Sequence, residues 1–309
     1  MTPKERFLTA LERGIPDRVP TFELEFQLSE ELCGKRFLGE DDLRGLTARQ
    51  VEYKLSENAQ TLIEVYSRLE HDAICVHYLN EQHQMDMARL IHKLAGNKFA
   101  LFAHGDGTFA IPDGDGMEKM AIAMYEDPDF LHAQARKLRD DAIEHDWKLL
   151  DAGYDGFILC SDYCFNQGPF MSPKMFSEFI TPYLSELIFA IRQKGGYTIK
   201  HTDGNIMPII DQLVSANPHA LHSLDPMAGV DIAEVKRLYG DRVALCGNVH
   251  CAAMQTGTEE EVIASAEYCL THAKPGGGYI FATSNIPFKG LPLERYLLVL
   301  DVWKRMRDY

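Results

Sequence analysis

The chain has 309 residues, 46% of them apolar and 25% charged, with a formal net charge of −15 at pH 7. That acidity excludes nucleic acid as a partner, because phosphate binding needs clustered Lys and Arg, and it disfavours an anionic membrane surface. A chain of this length buries enough apolar surface to fold without cross-links. Its seven cysteines, at no framework spacing, read as free thiols in a reducing compartment. The opening MTPKERFLTALERG has no signal-peptide core, and no apolar stretch approaches the ~18 residues of a membrane span, so a cytoplasmic location is expected.

In chain order, Thr2 with Glu5 forms a capping box, Pro3 takes the first helical position and Gly14 ends the helix. In Val19–Phe26, Phe22, Leu24 and Phe26 alternate with Glu23 and Glu25, which predicts a strand with both carboxylates on one face. A long helix is expected from Thr47 to Leu69, and a strand over Ala73–Tyr78. Lys98–Ala103 is the next strand, and the turn-rich HGDGTFAIPDGDG follows it. Met117, Met120 and Met124 recur at helical spacing, and core packing is the default for such a stripe. Asp127-Pro128 opens an amphipathic helix to about Ala152. Further strands are expected at Gly156–Cys160, Tyr197–Lys200, Ala220–Ser223, Val243–Cys246 and Gly278–Ala282, with helices between. Thr258 with Glu261 is a second capping box, and Leu293–Met306 is the closing helix. Eight strands alternating with helices predict a (β/α)₈ barrel, one domain over 1–309 with an N-terminal helical extension. The competing architecture, an open doubly wound sheet, lacks a G-x-G-x-x-G fingerprint here.

Barrel enzymes place their chemistry at the C-terminal ends of the strands. Those ends carry Glu25 and Gln27, His77, His104 and Asp106, then Ser161, Asp162 and Tyr163. The later strands end in His201, Thr202 and Asp203, in His222 and Asp225, in Asn248 and His250, and in Ser284 and Asn285. His201 and Asp203, two apart, project to the same side and could hold a divalent metal; a hydrogen-bonded pair that only fixes the loop is the competing reading. Asp162 leaves the apolar run Phe157–Cys160, where a buried carboxylate needs a partner. Cys246, His250 and Cys251 match no zinc ligand spacing, and Asp113-Gly-Asp115-Gly lacks the bidentate Glu of a calcium loop.

The segments TPKERFLTALERGIPDRVP, GYDGFILCSDY, SPKMFSEFITPY, IKHTDGN, VKRLYGDRVALCGNV and GGGYIFATSNIP, in this order, resemble the uroporphyrinogen decarboxylase-like superfamily. That resemblance implies a (β/α)₈ barrel with its cleft at the strand C-termini. True decarboxylases of the family carry an Arg-rich N-terminal segment reading like RQAGRY; here TFELEFQLSEEL is acidic, the wrong sign for a substrate with many carboxylates. The other branch is the cobalamin-dependent methyltransferases. In its thiol-methylating members zinc is held by His-x-Cys and a later Cys. Carried across, His201 matches the His, while Asp203 and Ser284 stand where the thiolates would be. A harder oxygen and nitrogen site suits an oxygen leaving group better than a thiol.

The resulting expectation is a corrinoid-dependent methyltransferase of O-demethylase type. It would take a methyl group from a methoxylated, aromatic substrate and pass it to the cobalt of a partner corrinoid-binding protein. Asp162, His201, Asp203 and His250 are the candidate catalytic residues, and His201, Asp203 and Glu25 the candidate ligands for Zn²⁺. Asn248 is assigned to the cofactor, and Glu25, His77, His104, Tyr163, Phe165 and Ser284 to substrate. A homodimer is implied by the resemblance only. The alternatives are a decarboxylase or other lyase acting on a small acid, and a non-catalytic barrel that docks a corrinoid protein.

Overall fold

The computed structural model describes residues 1–309. Seven parallel strands pair in chain order: β1 (Ala73–Val76), β2 (Ala100–His104), β3 (Gly156–Leu159), β6 (Tyr197–Thr202), β7 (Ala220–Ser223), β8 (Ala244–Val249) and β9 (Tyr279–Thr283). The two remaining strands, β4 (Cys164–Phe165) and β5 (Gly168–Pro169), form a small antiparallel hairpin beyond β3. An order with no reversal has no topological switch point, which removes the doubly wound alternative. No helix is long and apolar enough to cross a membrane.

The expected eighth strand, Val19–Phe26, is not one. It makes a single bridge, Thr21 to Phe281 of β9. The sheet is therefore a curled seven-stranded one, and the segment lies between its two edges without a ladder to either. Pro20 has no N–H to give, and the remaining ties are few. The Asp72 N–H donates to the Thr21 carbonyl, and the Phe281 N–H to the Pro20 carbonyl. Side chains do the rest: the Thr21 N–H donates to Asp72 Oδ2 at 2.9 Å, and the Thr283 hydroxyl to Glu23 Oε2 at 2.5 Å.

Two apolar layers follow from strand alternation. Cys75, Phe102, Ile158, Ile199, Ala220, Cys246 and Ala282 face inward, where Phe22 and Leu24 join them. The N-terminal helix, Pro3–Leu11, adds Phe7, Ala10 and Leu11 to the same cluster, so it plugs the end of the sheet where the strands begin. Alternate residues such as Leu101, Phe157, Leu221 and Leu245 face outward into the larger core with the helices. Both capping boxes are present, at Thr2/Glu5 and Thr258/Glu261. The helix Gly116–Glu126 buries none of its residues, although Met120 and Met124 rest partly covered on the core.

Glu23 and Glu25 do not share a face. Glu23 is buried between Thr283 and Tyr296, and burial pushes its carboxyl up to about 8 despite hydrogen bonds from both. Its pKa in the fold lies above the unfolded value of 4.5. Its contribution is complete below that unfolded value and is lost as pH rises through about 8. Wild-type protein is expected to lose roughly 4 kcal/mol of stability between pH 5 and pH 9 through this group, and Glu23→Gln to lose little. Urea midpoints of the two proteins across that range check this.

Candidate active site

Continuing each inward row past the strand end leads to His77 on β1, His104 on β2, Cys160 and Asp162 on β3, His201 and Asp203 on β6, and His222 on β7. Asp162, His201 and Asp203 converge. One ligand atom from each lies within 4.8 Å of the others. His201 Nε2 is 3.8 Å from Asp162 Oδ1 and 3.7 Å from Asp203 Oδ1, and its ring is buried.

The cluster is held from below and behind. The Asp203 N–H donates to Asp162 Oδ1 at 3.0 Å. The Ser223 hydroxyl donates to Asp203 Oδ1 at 2.7 Å, and the Asn285 amide donates to Asp203 Oδ2. Burial, with the nearby carboxylates of Asp162 and Asp225, pushes Asp203 up to about 6 against those hydrogen bonds. The His201 imidazole is held well below its ordinary value, first by burial and then by His222, Lys200 and His104. Gly204 completes the turn. Its φ is +81°, and a Cβ there would stand 2.4 Å from the Cys164 carbonyl oxygen. Gly204→Ala is expected to cost about 2 kcal/mol and to displace Asp203, read as a lower melting temperature together with weaker metal binding.

One imidazole nitrogen and two carboxylate oxygens form a donor set that suits a divalent ion such as zinc. Ligands of a tetrahedral zinc stand about 3.4 Å apart, so the three groups need only a small contraction. Asp162, whose side chain is 46% exposed, is free to make it.

The other expected residues divide. Glu25 is not a fourth ligand. It accepts from the Tyr78 hydroxyl at 2.6 Å and from the Gln27 amide at 2.9 Å, and with His77, Phe26, Phe37 and Leu62 it lines a cavity of about 190 Å³. That cavity does not include the Asp162–His201–Asp203 cluster; the exposed His104, its ring 4.2 Å from that of His77, lines a separate cleft with Asp106, His145 and Asp146. Phe165 is half exposed on the β4–β5 hairpin, whose carbonyl accepts the Asn205 N–H.

Four assignments are corrected by position. Tyr163 is buried with its hydroxyl 2.5 Å from Thr108 Oγ1 and its ring under Lys200 Nζ, so it offers substrate nothing. Asn248 would face inward by alternation, but after Gly247, at φ +121°, it turns outward. Its amide donates to the Leu224 carbonyl, and Cys269 on an outer helix donates to it. His250 caps the helix Cys251–Thr256, accepting from the Ala253 N–H, and lines an outer cleft with Ser265 and Tyr268. Ser284 is buried beside the Cys251 thiol, and its neighbour Asn285 reaches Asp203 instead.

Sequence reading gave no role to Lys200. It is buried, and its ammonium bridges Asp106 Oδ2 at 2.8 Å and the carbonyls of Leu159 and Ser161. Asp106 in turn accepts the Ser161 N–H, so the pair clamps the backbone that carries Asp162. A charged residue inside an apolar strand was the available signal.

A family model described as uroporphyrinogen decarboxylase (URO-D) matches residues 82–305. The uroporphyrinogen decarboxylase of Coxiella burnetii (strain Dugway 5J108-111) is 25% identical over 181 residues, 58% of this chain and 48% of that protein. The uroporphyrinogen decarboxylase of Thioalkalivibrio sulfidiphilus is 24% identical over 233 residues, 70% of this chain and 62% of its own length. The chain thus spans about half the length of the first of these curated relatives. Among solved structures, a methyltransferase from Methanosarcina mazei superposes with a TM-score of 0.76 over 99% of both chains at 16% identity, a likeness of fold.

Proposed function

This chain belongs to the uroporphyrinogen decarboxylase (URO-D) family, and from that premise we propose that it is a methyltransferase that removes a methyl group from a methoxylated, aromatic substrate. The acceptor in this reading is the cobalt of a corrinoid carried by a partner protein. The observation that carries the proposal is the convergence of Asp162, His201 and Asp203 into one oxygen-rich donor set.

In the reaction the C–O bond of the ether breaks, the methyl group leaves to the acceptor, and the oxygen keeps the electron pair. That oxygen needs charge stabilisation and finally a proton. A divalent ion, when bound by Asp162, His201 and Asp203, supplies Lewis acidity to it. Asp203 would hold the ion as a carboxylate, and water entering past the exposed Asp162 would protonate the released oxygen. Ser223 and Asn285 fix the Asp203 carboxyl so that it does not swing away.

A second reading has a specific observation behind it, since the sequence relatives are decarboxylases. The acidic stretch from Glu23 to Glu31 replaces the basic grip that reading requires. Incubation with reduced corrinoid and a panel of aryl methyl ethers, followed by absorbance, separates the two. Loss of the reduced-corrinoid band with release of the free phenol is expected. Carbon dioxide from a carboxylated substrate, with no methyl transfer from any ether, would sink the proposal.

A further inference from the structure

We propose that a second small-molecule site lies where the loops after β2 and β3 meet the helix Pro128–Ala152, and that it takes a short alkylammonium or a like organic cation with N–H donors. That helix buries Leu131, Ala135 and Leu149, and in the same set Asp146, which is fully buried. A carboxylate among apolar residues is costly unless its oxygens are hydrogen-bonded. Asp146 Oδ1 accepts from His145 Nδ1 at 3.0 Å, but Oδ2 has no partner in the chain. The backbone is shaped around this group. A Cβ on Gly105 would stand 2.5 Å from Oδ1 and 2.8 Å from Oδ2, so only glycine lets the loop after β2 close on the carboxylate.

Asp146 lies in the wall of a cleft of about 450 Å³, which does not include Asp162, His201 or Asp203. A buried oxygen left over at such a wall calls for a donor from outside the chain. The other lining residues set the sign of that donor. Asp106 has none to seek: Oδ2 accepts from Lys200 Nζ and the Ser161 N–H, and Oδ1 from the Thr108 N–H and hydroxyl. Asp141, one turn before His145, is paired only with the exposed Lys137, a contact that solvent screens. No Lys or Arg lines the cleft. With its imidazoles neutral, the cleft therefore presents the charges of Asp141 and Asp146, and a proton on His145 would still leave one. A cleft of one sign gathers the opposite charge.

His145, 31% exposed, and Asp141 stand at the opening, with the Asp146 charge at the floor. Leu138, Ala110 and Ala142 add an apolar wall, which suits a short alkyl chain behind the cationic head. A bare metal ion is the poorer fit, because the one cluster of three ligand atoms in the chain is Asp162, His201 and Asp203. The site is independent of the reading under Proposed function.

Calorimetric titration of metal-free wild-type protein with butylammonium tests the proposal, with butanol and tetramethylammonium as the uncharged and the N–H-free controls. Saturable binding of butylammonium is expected, about 10-fold or more tighter than either control. Asp146→Asn, which keeps the shape and removes the charge, is expected to weaken it by about 10-fold or more. Gly105→Ala is expected to do the same by displacing the carboxylate, and Asp162→Ala to bind as wild type does. In nitrogen-15 spectra the His145 ring is expected to shift on titration and the His201 ring to stay. No saturable binding, equal binding of butanol, or unchanged affinity in Asp146→Asn overturns the proposal. So does a response at His201 in place of His145, which would put the cation in the other cluster. If Gly105→Ala fails to fold, the Asn variant and the spectra still decide.

Discussion

Asp203→Asn is expected to lower methyl transfer by about 10³-fold, through loss of the bound ion, while leaving the fold intact. Asparagine keeps the shape of the side chain and can still accept from Ser223, and a flipped Asn285 amide can accept from its new NH₂, so the turn at Gly204 has no reason to move. What it removes is the negative charge beside His201 that a bound divalent ion would need. The same change is expected to raise stability in metal-free protein. Asp203 in the fold titrates at about 6, above its unfolded value of 3.8. Its neutral form favours folding below the unfolded value, and that advantage is lost as pH rises through 6. The side chain is 32% exposed, so solvent screens part of the effect. A gain of about 1 kcal/mol at pH 8, absent at pH 4, is the expected size. Paired rate and melting measurements check both halves; a variant that loses activity and stability together would mean that Asp203 holds structure rather than chemistry.

The second large effect lies at the opposite end of the strands. Asp72→Ala is expected to cost about 3 kcal/mol, because it removes the buried partner of Arg6 Nη1 and the acceptor of the Thr21 N–H together. Asp72 is fully buried; its Oδ1 accepts from Arg6 Nη1 at 2.5 Å, and its Oδ2 accepts the Thr21 N–H at 2.9 Å. Burial outweighs Arg6 and raises the Asp72 carboxyl to about 6. This one side chain ties the N-terminal helix and the irregular Val19–Phe26 segment to β1. Arg6→Met, which removes the other charge and keeps the bulk, is expected to be milder, since Arg6 also spends part of its pairing on the exposed Asp17. Denaturant melts of the two variants check the order; equal costs would show that the Arg6–Asp72 pair alone, and not the Asp72 bond to the Thr21 N–H, sets the effect.

Much of this arrangement is legible in the residues. Alternation and caps place seven strands and the Leu293–Met306 helix, and listing the strand C-termini names Asp162, His201 and Asp203, which the fold brings together. The failures have local causes. Val19–Phe26 has strand periodicity, but Pro20 and the side-chain ties to Asp72 and Thr283 replace a ladder. Asn248 and His250 are misplaced because Gly247 breaks the alternation on which the reading relied. Tyr163 is misread because Lys200, distant in sequence, draws its ring into the outer layer. Ser284 and Asn285 are adjacent, and only their three-dimensional neighbours, Cys251 and Asp203, tell which one faces the mouth. The partnership of His201 with His222 depends on strand register, which neither segment states by itself.

Metal stoichiometry tests the central assignment most directly. Protein saturated with zinc and then desalted is expected to retain about one ion per chain, and the Asp162→Ala, His201→Ala and Asp203→Ala variants to retain almost none while melting as cooperatively as wild type. Full retention in all three variants, or none in wild type, would contradict the account.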